Sequence, residues 1–237
     1  PPQKGLSPLR RGRPFCYCSK MDNVRVIDGA SDARIAEWLE RSLRVALARK
    51  AANGTDPRRR RVVISVPGGS TPFPIFEELL KSDFDFSTLI VWPNDDRIVP
   101  ENHDASNTGK IRALFEPAGS YVVALDEDQS VPRFDLVWLG MGADGHIASL
   151  FPNTDPQLDD PEPTKVLTPD PLPPHAPFDR ITMTLPTLLG THELMFVMRG
   201  DDKRVVFDAA LAGEHDLPVA RLLKAANERG IAVTVFT

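Results

Sequence analysis

Apolar positions along the chain follow two alternating periodicities. Short apolar or β-branched runs at Val24 to Ile27, Val62 to Val66, Thr88 to Trp92, Tyr121 to Leu125, Phe134 to Leu139, Leu194 to Met198 and Ile231 to Phe236 predict strands. Between them apolar residues recur at helical spacing. Ile35, Leu39, Leu43, Ala46 and Leu47 mark one such helix face behind an N-cap at Ser31, and Ile111, Leu114 and Phe115 mark another behind Ser106. Further helices are predicted around Ile75, Phe76, Leu79 and Leu80, over Asp202 to Ala212, and over Val219 to Ala226. Arg180 to Leu185 alternates as a half-buried strand does. Strand and helix alternating in this way imply an α/β fold: a mostly parallel central sheet with helices on both faces, Rossmann-like, in a single domain.

Two segments fall outside the alternation. Residues 1–20 have no apolar periodicity and read as a disordered extension or tail, with Met21 as the native start of a domain covering 21–237. Pro152 to Pro177 carries nine prolines and little periodicity, which predicts a long surface segment bordering the site rather than an interior element.

Composition narrows the function classes. The net charge is -5, so no global basic surface invites nucleic acid, and the run Arg58 to Arg61 reads as a local solvated loop. No apolar run approaches the roughly 18 residues of a membrane span, and the first residues lack the apolar core of a signal peptide. A soluble, cytoplasmic protein is expected. Both cysteines, Cys16 and Cys18, lie in the first twenty residues, which leaves no disulfide framework for the folded part and supports no zinc site.

The chemistry concentrates where strands end. Phe134 to Leu139 runs into Gly140, Gly142 and Gly145 and then His146, with Asp144 two positions earlier. Glycines let the backbone turn and approach a ligand, and a histidine at the end of a central strand sits where open α/β sheets place their ligands. Histidine is also the side chain best suited to proton transfer near neutral pH. In isolation the same pattern describes a tight turn with a hydrogen-bonded histidine. A second strand ends in Pro67-Gly68-Gly69-Ser70-Thr71-Pro72 ahead of a helix, a combination that suits a phosphate and equally suits a simple glycine turn with a hydroxyl cap. A third ends in Asp95-Asp96-Arg97, followed by Glu101, Asn102, His103, Ser106 and Asn107, a density of polar groups that is expensive to assemble without a use. Lys203 stands in the first turn of a predicted helix, where it opposes the helix dipole and hints at an anion.

Taken together these segments resemble the 6-phosphogluconolactonase family, part of a larger group that includes glucosamine-6-phosphate deaminases. The resemblance runs from about Met21 to Thr237. It rests on Gly-Gly-Ser-Thr-Pro at 68 to 72, Asp-Asp-Arg-Ile-Val-Pro at 95 to 100 with His103, Ser106 and Asn107, Gly-Met-Gly-Ala-Asp-Gly-His-Ile-Ala-Ser-Leu-Phe-Pro at 140 to 152, Arg-Ile-Thr-Met-Thr-Leu-Pro at 180 to 186, and Lys203. Two positions depart from the pattern. Asp96 stands where the family usually has glutamate, and Asn153 stands where it usually has glycine, a residue type that tolerates left-handed backbone angles.

The resemblance implies hydrolysis of 6-phosphogluconolactone to 6-phosphogluconate in the oxidative pentose phosphate pathway, with no metal or organic cofactor. It implies His146 as the base that activates water, with Asp144 or Asp95 orienting the imidazole and Arg97 as a charged donor near the reacting end. Gly68, Gly69, Ser70, Thr71, Arg180 and Lys203 are the implied phosphate and substrate contacts. The expected partner is a small sugar-phosphate lactone, and the expected assembly a monomer or small homo-oligomer. Two other readings stand beside this one. The deaminase relatives carry Asp-Glu-Tyr at 95 to 97 and Phe-Asn-Glu after His-Ile-Ala, where this chain has Arg97 and Ser149-Leu150-Phe151. A non-catalytic sugar-phosphate sensor would normally bring a DNA-binding module, for which residues 1–20 give no room.

Overall fold

The computed structural model describes residues 21–54, 56, 60–173 and 176–237. The reading of residues 1–20 as a tail, and the first half of the basic run at 58–61, therefore lie outside the described residues. A central sheet of seven strands has the order β1 (Val24–Ile27), β10 (Ala232–Phe236), β9 (Glu193–Val197), β6 (Leu136–Leu139), β2 (Val62–Val66), β3 (Leu89–Pro93) and β5 (Tyr121–Val122). Every pairing in it is parallel. The seven apolar or β-branched runs predicted as strands fall in this sheet, and the run at Phe134 to Leu139 supplies its middle strand.

Alternation along that middle strand divides the core in two. Val137 and Leu139 enter one apolar cluster, and Leu136 and Trp138 enter the other. The second cluster is closed by α1 (Asp32–Ala52), α2 (Pro72–Leu79) and α3 (Asn107–Phe115). The first is closed by α4 (Leu185–Leu188), α5 (Asp201–Ala212) and α6 (Pro218–Glu228). Ser31 and Ser106 cap α1 and α3 as expected, accepting from the amides of Arg34 and Gly109. No helix among the described residues is long and apolar enough to cross a membrane.

One charged residue interrupts the middle strand's approach. Asp135 is almost completely buried, with its side chain only 4% exposed, and its carboxylate meets Arg49 at 2.7 Å and Lys50 at 2.9 Å while accepting the amide of Val63 at 2.9 Å. It ties the last turn of α1 to β2 and β6. Asp135→Ala should lower unfolding stability by about 2 to 3 kcal/mol, because a buried amide loses its acceptor while the two partly exposed cations return to water. The midpoint of denaturant unfolding measures this, and an unchanged midpoint would show that the tie contributes nothing.

A second, three-stranded sheet, which the apolar pattern does not foretell, has the order β4 (Asp95–Arg97), β8 (Arg180–Met183) and β7 (Thr164–Leu167), all antiparallel. It corrects two expectations. The proline-rich stretch at 152 to 177 is not wholly a surface segment, since Thr164–Leu167 forms an edge strand with Thr164 buried. The strand predicted as half-buried is buried at all four of its residues, because it packs on the main core with one face and lines a cavity with the other.

Candidate active site

The carboxyl ends of β2, β3, β6 and β9 and one face of the small sheet enclose a cavity of about 370 Å³. Its lining includes Gly68, Gly69, Ser70, Thr71, Asp95, Arg97, His146, Arg180 and Lys203. Of the catalytic and substrate-contact residues that the resemblance implies, all meet here except Asp144, which stands behind His146. This is the crevice where parallel α/β sheets hold small ligands, because strand ends and helix starts converge there.

The loop after β6 is built to present His146. The amide of Gly145 bonds the carbonyl of Gly142 at 3.0 Å, and the amide of Gly142 bonds the carbonyl of His146 at 3.0 Å. Gly145 takes φ +80°, a left-handed conformation in which a side chain would be strained. A Cβ at Gly142 would lie 2.3 Å from His146 Nδ1 and 2.5 Å from Asp144 Oδ1, so only glycine leaves room for the pair. His146 Nδ1 stands 2.6 Å from Asp144 Oδ1. With a carboxylate as the acceptor Nδ1 is the donor, which in a neutral imidazole leaves the lone pair on Nε2. The ring leans on Phe151, with centroids 4.9 Å apart. Fully buried Ile147 anchors the loop through bridges to Met141 and Leu150, and Ala148 beside it takes φ 49°. Of the two carboxylates left open by spacing, Asp144 is the one that touches the imidazole. Asp95 instead accepts the hydroxyl of Ser149 at 2.5 Å.

Asp95-Asp96-Arg97 divides its charges by strand alternation. Asp95 and Arg97 face the cavity, and Asp96 turns away to the start of α3. There its carboxylate accepts the amides of Asn107 at 2.6 Å and Thr108 at 2.8 Å and the hydroxyl of Ser106 at 3.1 Å. Asp96, one of the two departures from the family pattern, therefore binds the first amides of α3 from outside the helix, where the helix dipole favours a carboxylate. Arg97 pairs in register with Arg180 across β4 and β8, which sets two guanidinium groups side by side. Arg97 Nη1 donates to the carbonyl of Ala105 and to Asn107 Oδ1, and Arg180 Nη2 donates to the carbonyl of Ala176 at 2.8 Å. Arg97 Nε and Arg180 Nη1 are buried and have no hydrogen-bond partner among the described residues. Two orphaned cationic donors in one cavity are costly, and they are the feature an anionic ligand would satisfy.

Burial holds the Asp95 carboxyl above the ordinary carboxylate range, although Ser149 and Arg97 pull it down. Burial also pushes Arg180 below the usual guanidinium range, and the nearby Arg97 adds to this. For Asp95 the folded state holds its proton more tightly than the unfolded chain does, so stability rises as pH falls from neutral into the raised range. Asp95→Asn should raise the thermal midpoint at neutral pH and flatten its dependence on pH over that window. A midpoint that falls at neutral pH would show that ionised Asp95 stabilises the fold.

The loop at 68 to 71 is less like a helix-dipole site than its sequence suggests. Thr71 makes no capping hydrogen bond and already has helical angles, and prolines at 72 and 74 remove two amide donors from the first turn of α2. The remaining donors are the loop's own amides and hydroxyls. A Cβ at Gly68 would collide with Asn107 Cγ at 2.0 Å, whereas Gly69 has nothing within 4 Å and stays open to a ligand. Lys203, in the first turn of α5, is partly buried on the same cavity and makes no ion pair among the described residues.

Some site residues escaped the sequence reading, and some motif residues lie elsewhere. Asn107 and Ser149 line the cavity and hold Arg97 and Asp95, yet one followed a cap and the other read as part of a loop motif. His103 is exposed, stacks edge-on against Phe178, and accepts the amide of Ala105 at its Nδ1. Asn153 needs no left-handed tolerance. It lies in a short 3-10 turn at Pro152–Thr154, and the left-handed residues nearby are Ala148 and Asp155.

Fold and cavity together define an α/β protein that gathers a hydrogen-bonded histidine–aspartate pair and cationic donors over the strand ends of a parallel sheet. The family model for glucosamine-6-phosphate isomerases/6-phosphogluconolactonase matches residues 34–120 and 115–231, and the chain belongs to this family. It is 32% identical over 211 residues to a 6-phosphogluconolactonase of Neisseria meningitidis serogroup A, covering 78% of this chain and 89% of that one. It is 33% identical over 190 residues to a 6-phosphogluconolactonase of Pseudomonas aeruginosa, covering 70% and 79%. The solved 6-phosphogluconolactonase of Shewanella baltica superposes with a TM-score of 0.71 over 92% of this chain and 98% of that one, and at 23% identity it shows the shared fold.

Proposed function

We propose that the protein hydrolyses 6-phosphogluconolactone to 6-phosphogluconate, with His146 as the general base. The observation that carries this reading is the His146–Asp144 pair on a cavity that also holds two unpartnered arginine donors. The curated relatives at about 30% identity over most of the chain bear the name of that activity.

The residues divide the work as follows. Asp144 holds Nδ1–H, which turns Nε2 toward a water and raises its readiness to take the water's proton. Hydroxide equivalent then attacks the lactone carbonyl, and the carbonyl oxygen develops negative charge that a fixed donor can stabilise. Arg97 is that donor, held in place by Asn107 and Ala105. The ring oxygen leaves with a proton returned by the imidazolium, which restores neutral His146. Lys203, Arg180 and the 68 to 71 loop grip the phosphate, so the charge at the far end of the substrate positions the ring at the base. Arg180 lies beside Arg97, and the two guanidinium groups therefore act on adjoining parts of one ligand.

Freshly generated 6-phosphogluconolactone should disappear faster with the protein than by spontaneous hydrolysis, at the same rate with or without a metal chelator. Glucosamine 6-phosphate should release no ammonia. Ammonia release would move the chain to the deaminase branch of its family, and tight 6-phosphogluconate binding without lactone turnover would make it a sensor.

A further inference from the structure

A second and larger cavity, about 590 Å³, lies toward the other end of the sheet, between α1 and the first residues of β2, β6, β9 and β10. Its floor is apolar, formed by Leu43, Val62, Leu136 and Phe236, all buried. Trp38 makes a wall, held edge-on to Phe236 with ring centroids 5.3 Å apart. Its volume falls in the range of small-molecule sites, and none of its residues takes part in the reaction proposed above.

The rim is cationic. Arg25 comes from β1, and Arg34, Arg41 and Arg49 come from α1, where positions 34, 38 and 41 share one side of the helix. Two carboxylates line the cavity with them. Asp135 is already committed to Arg49, Lys50 and the amide of Val63, and Glu193 accepts the hydroxyl of Thr234 at 3.0 Å. Arg25, Arg34 and Arg41 have no carboxylate partner among the described residues. Burial holds Glu193 above the ordinary carboxylate range, so it offsets little of this charge. Burial also pushes the neighbouring His192 down, with Arg49 and then Arg133 adding to the effect, as expected where the local field is positive. Three unpaired guanidinium groups over a concave apolar floor focus a positive potential, and a guanidinium fork matches phosphate oxygens.

We infer that this cavity binds a phosphorylated small molecule with a planar ring, of the nucleotide class, its phosphates on Arg25, Arg34 and Arg41 and its ring against Trp38. Calorimetric titration of the full chain with ADP, with and without saturating 6-phosphogluconate, tests this. ADP should bind one to one in both conditions, more tightly than adenosine or inorganic phosphate alone. The double variant Arg34→Ala/Arg41→Ala, which alters two exposed side chains, should keep its thermal midpoint and its lactone turnover while weakening ADP by at least about tenfold. Added salt should weaken the wild-type complex as well. No binding of ADP up to about 5 mM, a range where even millimolar affinity shows, would overturn the proposal. So would ADP binding that survives the double variant undiminished, or that 6-phosphogluconate displaces.

Discussion

His146→Ala should leave the protein folded and able to bind 6-phosphogluconate while lowering lactone turnover by about 10² to 10⁴-fold, the worth of a positioned acid or base. The side chain is 32% exposed and sits on a loop rather than in either core cluster, so its loss opens no buried cavity. The loop itself is held by backbone bonds between Gly142 and His146 and by buried Ile147, none of which involves the imidazole. Asp144→Asn should act in the same direction, because an amide holds Nδ1–H less well than a carboxylate and admits the other tautomer. Initial rates corrected for spontaneous hydrolysis, together with thermal melts and product titration, separate lost chemistry from lost folding. If both melting and product affinity collapse in His146→Ala, the side chain is structural and the assignment fails.

Arg180→Met should make the protein more stable and a poorer binder at once. Arg180 is 4% exposed, faces Arg97 in register, and keeps a buried donor without a partner. Its folded state disfavours the cation relative to the unfolded chain, so at neutral pH the charged group is a liability that an apolar side chain of similar length removes. The gain should be on the order of 1 kcal/mol or more, read as a higher thermal midpoint. Binding of 6-phosphogluconate should weaken by about 1.5 to 3 kcal/mol, or roughly 10 to 150-fold, for one charge-assisted hydrogen bond. Unphosphorylated gluconolactone should be nearly indifferent. Equal losses on phosphorylated and unphosphorylated ligands would remove Arg180 from the phosphate, and a lower midpoint would show that Arg97 and Arg180 are compensated in the fold.

The same trade-off explains what the sequence could and could not disclose. The main sheet was legible because β-branched runs such as Val62–Val66 are buried on both faces, and helices were legible through one-sided spacing such as Ile35, Leu39 and Leu43. The small sheet was not, because β4 consists of Asp95, Asp96 and Arg97 and has no apolar period to detect. Its strand character comes from pairing with β8, a contact between residues 83 to 87 positions apart, from Arg97 with Arg180 to Asp95 with Thr182. The candidate residues were legible as types at strand ends, but their partnerships were not. Spacing left Asp144 and Asp95 equivalent for His146, and only the turn at Gly142 and Gly145 brings Asp144 to the imidazole. The partnership of Asp96 and Asn107 was hidden for a related reason, since the carboxylate of one accepts the first amide of the helix that carries the other.

The central claim, that neutral His146 takes the proton from water, is tested most directly by the pH dependence of lactone hydrolysis in wild type and His146→Ala measured side by side. Only the neutral imidazole accepts a proton, so the wild-type rate above background should fall as acid protonates it. The variant's small residual rate should lack that limb. A variant that hydrolyses the lactone at the wild-type rate, or that retains the same acidic limb, would contradict the account.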